Sequence, residues 1–187
     1  MNNLSLPTLL DKQAILSEQS YIEEWCKEKS RFRINLSVFP SRNFRRLLNT
    51  LYENRIPPSL FPAEVGLPVP SMYWIQTPAI IWQLWVLLDS ILPLKRGESI
   101  SYKQVYKLFN KRIGMKEVII QKLPLVGSTH YSFAIMEYLQ LLTKLLVLKR
   151  IDKTTFVKVN EVSIPQNDMK AKEDDMLMGK RLIRLTW

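Results

Sequence analysis

Between Thr77 and Val159 the spacing of apolar residues passes from helical to strand-like, and this order constrains the fold more than any single motif. Thr77 and Pro78 read as a capping side chain and a proline at the first helical position, where the missing N–H costs nothing. The helix predicted behind them is apolar nearly all round, through Ile80, Ile81, Trp82, Leu84, Trp85 and Leu88, so it belongs inside a core; Pro93 ends it. Ser101 and Gln104 form a capping box for a second helix with Tyr102, Val105, Tyr106, Leu108, Phe109 and Ile113 as its buried stripe and Gly114 as its stop. A third helix, starting at Ser128, Thr129 or Ser132, carries Phe133, Ile135, Met136, Leu139, Leu142, Leu145 and Leu146. Residues 147–151, a polar turn at Asp152 to Thr154 and residues 155–159 then read as a hairpin. Helix, helix, helix and a basic ribbon is the element order of a winged helix. The expected fold is therefore mostly α with small β (α+β), as one winged-helix domain over residues 72–164 or a degenerate tandem pair.

The N-terminal half is less regular. Residues 1–18 read as a flexible arm, and 18–29 as a short helix around Tyr21, Ile22 and Trp25. Phe32, Ile34, Leu36 and Val38 alternate with polar residues, which predicts a strand with one buried face. Ser41 caps a helix bearing Phe44, Leu47, Leu48 and Leu51, so residues 19–56 make a small α/β element, a partial winged helix. Residues 57–71 hold five prolines and read as a rigid linker. In the C-terminal tail, 165–187, Pro165 to Asp175 is polar and charged and reads as mobile, and Leu177 to Trp187 reads as a last short apolar-basic element whose fate stays open at this level.

The chemistry missing from the sequence narrows function. One cysteine, Cys26, and one histidine, His130, build neither a disulfide nor a Cys/His zinc site, and five scattered glycines write no phosphate loop. Glu23, Glu24, Glu28, Asp174 and Asp175 fall in segments that look exposed, with no spacing for an acid/base pair. The apolar stretch from Met72 to Leu94 is interrupted and falls short of the ~20 residues a bilayer span requires. Nothing in Met1 to Leu16 reads as a secretory signal. These absences predict a non-enzymatic cytoplasmic or nuclear protein with no cofactor, metal or small-molecule substrate.

What remains is charge. Lys and Arg number 27 against 17 Asp and Glu, a net +10, which favours anionic partners. The candidate anionic-surface residues are Arg31, Arg33, Arg42, Arg45, Arg46 and Arg55 in the N-terminal half, Lys103, Lys107, Lys111 and Arg112 on the second helix, and Lys153 on the ribbon, beside Lys149, Arg150 and Lys158. The third helix offers few polar side chains for reading base edges (Thr129, His130, Tyr131, Ser132, Glu137 and Gln140), so its apolar surplus fits a protein contact better.

Tyr73-Trp74-Ile75-Gln76-Thr77-Pro78, Ile81-Trp82-Gln83-Leu84-Trp85, and the third helix running into Thr155-Phe156-Val157-Lys158-Val159 resemble the second winged helix of the ESCRT-II subunit family. They are also similar to the ESCRT-II-like front half of CHMP-seven. That resemblance implies tandem winged helices acting in membrane trafficking by protein and membrane contact, without catalysis. The expected function is an adaptor binding protein subunits of a larger complex, with anionic lipid or nucleic acid as a further partner; the alternative is a nuclear nucleic-acid-binding subunit of a DNA-associated complex.

Overall fold

The computed structural model describes residues 20, 22–36, 44–121 and 130–186. The chain is mostly α-helical with a small three-stranded sheet, the α+β class expected. Residues 22–36 form α1. There follow α2 (Arg45–Glu53), a 3-10 turn (Pro70–Trp74) and α3 (Ala79–Val86), which passes into one π turn (Leu87–Ile91). Then come β1 (Ser99–Ser101), α4 (Tyr102–Gly114), α5 (Tyr131–Lys144), β2 (Leu148–Arg150), β3 (Thr155–Lys158) and α6 (Asp168–Thr186).

The strand expected over Phe32 to Val38 is corrected: its described residues belong to α1. Ile22, Lys29, Arg33 and Leu36 are buried, with Trp25 and Phe32 partly so, a helical stripe, whereas Ile34 is 56% exposed. Two members of that stripe are cations, so a reading of apolar residues alone misses its 3.6-residue period. The arm at 1–18, the Ser41 cap and the candidate starts at Ser128 and Thr129 lie outside the described residues.

Helix α3 is central, as its composition demands. Trp82 is fully buried and packs edge-on against Phe109 of α4 (6.1 Å) and Tyr138 of α5 (5.5 Å). Such edge-to-face pairs add about 0.5–1.5 kcal/mol each beyond the area they bury. The proline-rich segment packs into this core through Phe61, Val65, Leu67 and Val69. Its backbone is held by a buried side chain of α3: Gln83 Oε1 accepts from Leu67 N–H (2.8 Å), and Gln83 Nε2 donates to the Leu67 carbonyl (2.7 Å). Gly66 is needed at φ +74°, and a Cβ there would lie 2.6 Å from Ile80 Cγ1. Thr77 does not cap α3, since its hydroxyl instead accepts the Ile119 N–H (2.8 Å), and Pro78 takes the cap position.

The capping box is present: Ser101 Oγ accepts Gln104 N–H while the Gln104 side chain accepts Ser101 N–H. The predicted hairpin forms too, with Leu148 opposite Lys158 and Arg150 opposite Phe156. A third strand, β1, adds to β3 with Ile100 opposite Phe156, giving the order β1-β3-β2. Ile100, Leu148 and Phe156 face inward, and Leu139 and Leu142 of α5 are fully buried.

The mobile stretch expected as far as Asp175 is corrected: from Asp168 the C-terminal segment is a 19-residue helix closing against α1, held there by the contacts of Asp175 and Gly179. Gly179 permits the approach, because a Cβ there would meet Ile22 Cγ2 at 2.7 Å. Asp175, expected on an exposed segment, is 1% exposed. Its carboxylate meets Lys29 Nζ at 2.7 Å and Arg33 Nη2 at 3.0 Å. Lys29 also donates to Ala63 O, and Arg33 Nη1 donates to Ser59 O and Phe61 O, so three segments share one buried charge cluster. Burial pushes the Lys29 ammonium down to about 8, with the Asp175 carboxylate opposing.

Candidate polyanion-binding face

Lys103, Lys107 and Lys111 recur every fourth residue on α4, and all are exposed. At 1.5 Å rise per residue they form a stripe about 12 Å long on one side of the helix. The opposite side holds Val105 and Phe109 in the core, so burial of those two aims the lysines at solvent. From Ser99 to Lys116 the sequence has no Asp or Glu, and nothing on this element neutralises the stripe.

The hairpin brings further cations to the start of α4. Tyr102 N–H donates to Thr154 O in the turn (2.6 Å), and Tyr102 Oη donates to Ser132 O in the first turn of α5 (2.9 Å). The tip of the ribbon, the N-terminus of α4 and the N-terminus of α5 therefore meet, and Lys149, Arg150 and Lys153 are exposed on the ribbon. The turn's one carboxylate is used locally: Asp152 Oδ1 accepts from Thr154 N–H (2.7 Å) and Thr155 N–H (2.9 Å), which holds it below the usual carboxylate range. Arg150 donates to the carbonyls of Asp152 and Lys153, ordering the turn while its head stays exposed.

A ring stack fixes the relation of α4 to α5. Tyr102 lies 5.9 Å from Tyr106, which lies 5.8 Å from Tyr131, and the Tyr106 and Tyr131 hydroxyls are hydrogen-bonded at 3.0 Å. Burial holds the Tyr131 hydroxyl well above its ordinary range, so it stays a neutral structural group. Beyond it, Trp74 lies 4.9 Å from both Tyr73 and His130, and His130 is 5.9 Å from Phe133. Tyr73 is 62% exposed and Phe133 is 57% exposed. Phe133 is one of the apolar residues the sequence reading gave to this helix, and helical spacing from Tyr131 turns it outward.

The other candidate residues separate. Arg31, Arg45 and Arg55 are exposed, whereas Arg42 lies outside the described residues. Arg33 belongs to the buried cluster and presents no surface. Arg46 is exposed, 3.4 Å from Glu117. Arg112 is also committed internally: it pairs with Asp89 (2.6 Å) and Glu117 (2.8 Å) and lies 3.5 Å over the Trp85 ring. The π turn carries Asp89, and no signal in the sequence marked that pairing. Lys158 is buried, donating to Leu94 O and pairing with Glu161.

Among the described residues, no group of three or more His, Cys, Asp or Glu side chains is placed to hold a metal ion. No described helix is long and apolar enough to cross a membrane.

Fold and surface together define a mostly helical α+β domain with a cationic face built where a β-ribbon meets two helix starts. A family model for competence protein CoiA, C-terminal domain, matches residues 21–171, most of the chain, and the chain belongs to that family. No curated protein and no solved structure shows a significant match. The family match overturns the resemblance to ESCRT-II subunits and CHMP-seven, and with it the trafficking adaptor. It equally overturns the alternative of a nuclear DNA-associated subunit. The segments that carried the resemblance, 73–78 and 81–85, are a helix junction and a core helix. Their Trp, Ile and Leu encode packing, and packing of this kind recurs among unrelated helical domains.

Proposed function

We propose that this domain serves a bacterial competence protein as a non-enzymatic holding surface for nucleic acid, gripping the phosphate backbone through Lys103, Lys107, Lys111, Lys149 and Lys153. One observation carries the reading: the acid-free lysine stripe begins directly after Tyr102, the first residue of α4, whose N–H is hydrogen-bonded to a ribbon tip that is itself cationic. Lysine is a flexible point charge that suits sequence-independent phosphate contact. The connectivity from α3 to β3 and the order β1-β3-β2 favour a winged-helix type of module, with α5 as the helix beside the ribbon. Its exposed side chains, Phe133, Gln140 and Lys144, include only two polar groups, too few for base-edge readout.

The test is binding of a fluorescent oligonucleotide across a salt series. For a phosphate-gripping face, log K falls with log salt with a slope of about −0.9 per phosphate contact on duplex or about −0.7 on single strands. Binding that ignores both salt and substitution of Lys103, Lys107 and Lys153 would end this reading.

A further inference from the structure

A second cationic site lies where the end of α5 meets α6. A cavity of about 480 Å³ opens between the turn after α5, the segment at Asn160 and the last turns of α6, within the ~300–1,000 Å³ of small-ligand sites. Lys144, Arg181 and Arg184 line it, and among the described residues none of the three has an ion-pair partner. Arg181 and Arg184 stand three residues apart on α6, which places them on one side of the helix, and Lys144 faces them from another element. Of the carboxylates on the wall, Glu161 is taken by Lys158 at 2.6 Å. Glu64 remains, with its Oε2 buried and without a hydrogen-bond partner; burial raises its carboxyl, and the charges of Lys29 and Arg181 oppose that rise.

Two features argue that the cavity is built for an anion carrying an organic body. Several of the carbonyls around the end of α5, which would repel an anion, are occupied: Leu142 O accepts from Val147 N–H, Thr143 O from Leu146 N–H, and Leu146 O from Asn160 Nδ2. Leu146 itself sits in the left-handed region at φ 62° with 67% of its surface exposed. A bulky apolar residue is unusual there. The turn thus holds an apolar side chain at the rim, and Leu185 adds to the apolar wall.

We infer that this pocket binds a phosphomonoester on a nucleotide, with Lys144, Arg181 and Arg184 around the phosphate, Leu146 and Leu185 against the ring system and Glu64 toward its polar edge. Three cations suit a terminal phosphate, which is close to dianionic, better than an internal diester with one charge. The terminal phosphate has two sources, a free nucleotide or the 5′ end of a strand. The inference stands apart from the lysine face, which grips internal diesters.

Calorimetry on the 187-residue chain with a nucleoside 5′-monophosphate, the matching nucleoside, and a short oligonucleotide with and without a 5′-phosphate tests it. The expected result is one saturable site at which the phosphate tightens binding at least tenfold, in the mononucleotide pair or in the strand pair. Whichever pair shows the gain identifies the source. Arg181→Ala with Arg184→Ala removes that gain, while Lys103→Ala with Lys107→Ala weakens the 5′-hydroxyl strand and leaves the gain in place. Should the double arginine variant melt early, the exposed Arg184→Glu alone gives the same reading. Equal binding with and without the phosphate, or a gain that survives both arginine variants, overturns the site whether or not the lysine face holds.

Discussion

The junction of α1 with α6 and the face of α4 with the ribbon are both rich in cations, and they spend them in opposite ways. At the junction, Lys29 and Arg33 are buried on one carboxylate, Asp175, with Trp25 and Phe61 beneath them at 4.5 and 3.9 Å. On α4, Lys103, Lys107 and Lys111 reach into water with no acid along the helix. The difference teaches that a basic side chain in this chain is drawn into the structure where the fold brings it a carboxylate and left in water where the fold withholds one. Arg112, with Asp89 and Glu117, falls on the structural side.

The largest break of that comparison is Asp175→Ala, which strands two buried cations. It is expected to cost about 3–5 kcal/mol in denaturant unfolding, the cost of removing one partner from a buried ion pair. Lys103→Ala in the same assay stays within about 0.5 kcal/mol, as exposed substitutions do. A mild Asp175 variant would mean that α6 does not dock through this cluster. Next in size, the triple change Lys103→Ala, Lys107→Ala and Lys153→Ala is expected to lower the salt slope on duplex by about 2–3, at about 0.9 per lost contact, without moving the melting temperature.

A subtler distinction uses pH. Lys29 keeps its ordinary pKa near 10.5 in the unfolded chain but has about 8 in the fold. Between these values the unfolded chain binds the extra proton, so this residue's contribution to stability rises with pH across that window. Relative to Lys29→Met, the native chain should gain stability from pH 8 to 10. Above pH 10 the buried Tyr138 hydroxyl, held well above its ordinary value, takes the opposite sign, because there the unfolded chain loses its proton first. Parallel pH profiles for the two proteins would show that Lys29 is not buried as a shifted ammonium. The smallest effect belongs to Arg46→Ala, whose pair with Glu117 sits at an exposed guanidinium and should contribute no more than about 1 kcal/mol, screened further by salt.

Local signals were legible and long-range ones were not. The Ser101 and Gln104 box, the turn at Asp152 and the stripe of Leu139 and Leu142 involve residues within one or two turns of each other, so their spacing exposes them. The lysine stripe of α4 was equally readable, since the period of a helix places Lys103, Lys107 and Lys111 together. Helix α1 was misread as a strand over its second half because its inward positions include Lys29 and Arg33, which a hydrophobic pattern counts as solvent-facing. The pocket at Lys144, Arg181 and Arg184 joins residues some forty positions apart along the chain, beyond the reach of any periodicity.

The amino-acid order by itself determined the mostly helical class, the hairpin, the central place of the Trp82 helix and the surplus of positive charge, because each follows from short-range spacing or from composition. Only the tertiary structure decided which cations are withdrawn from water into ion pairs, because that depends on where Asp175, Asp89 and Glu117 arrive after folding. A buried charge is tolerated only with a partner in contact, and contact between residues 33 and 175 is made by the fold alone.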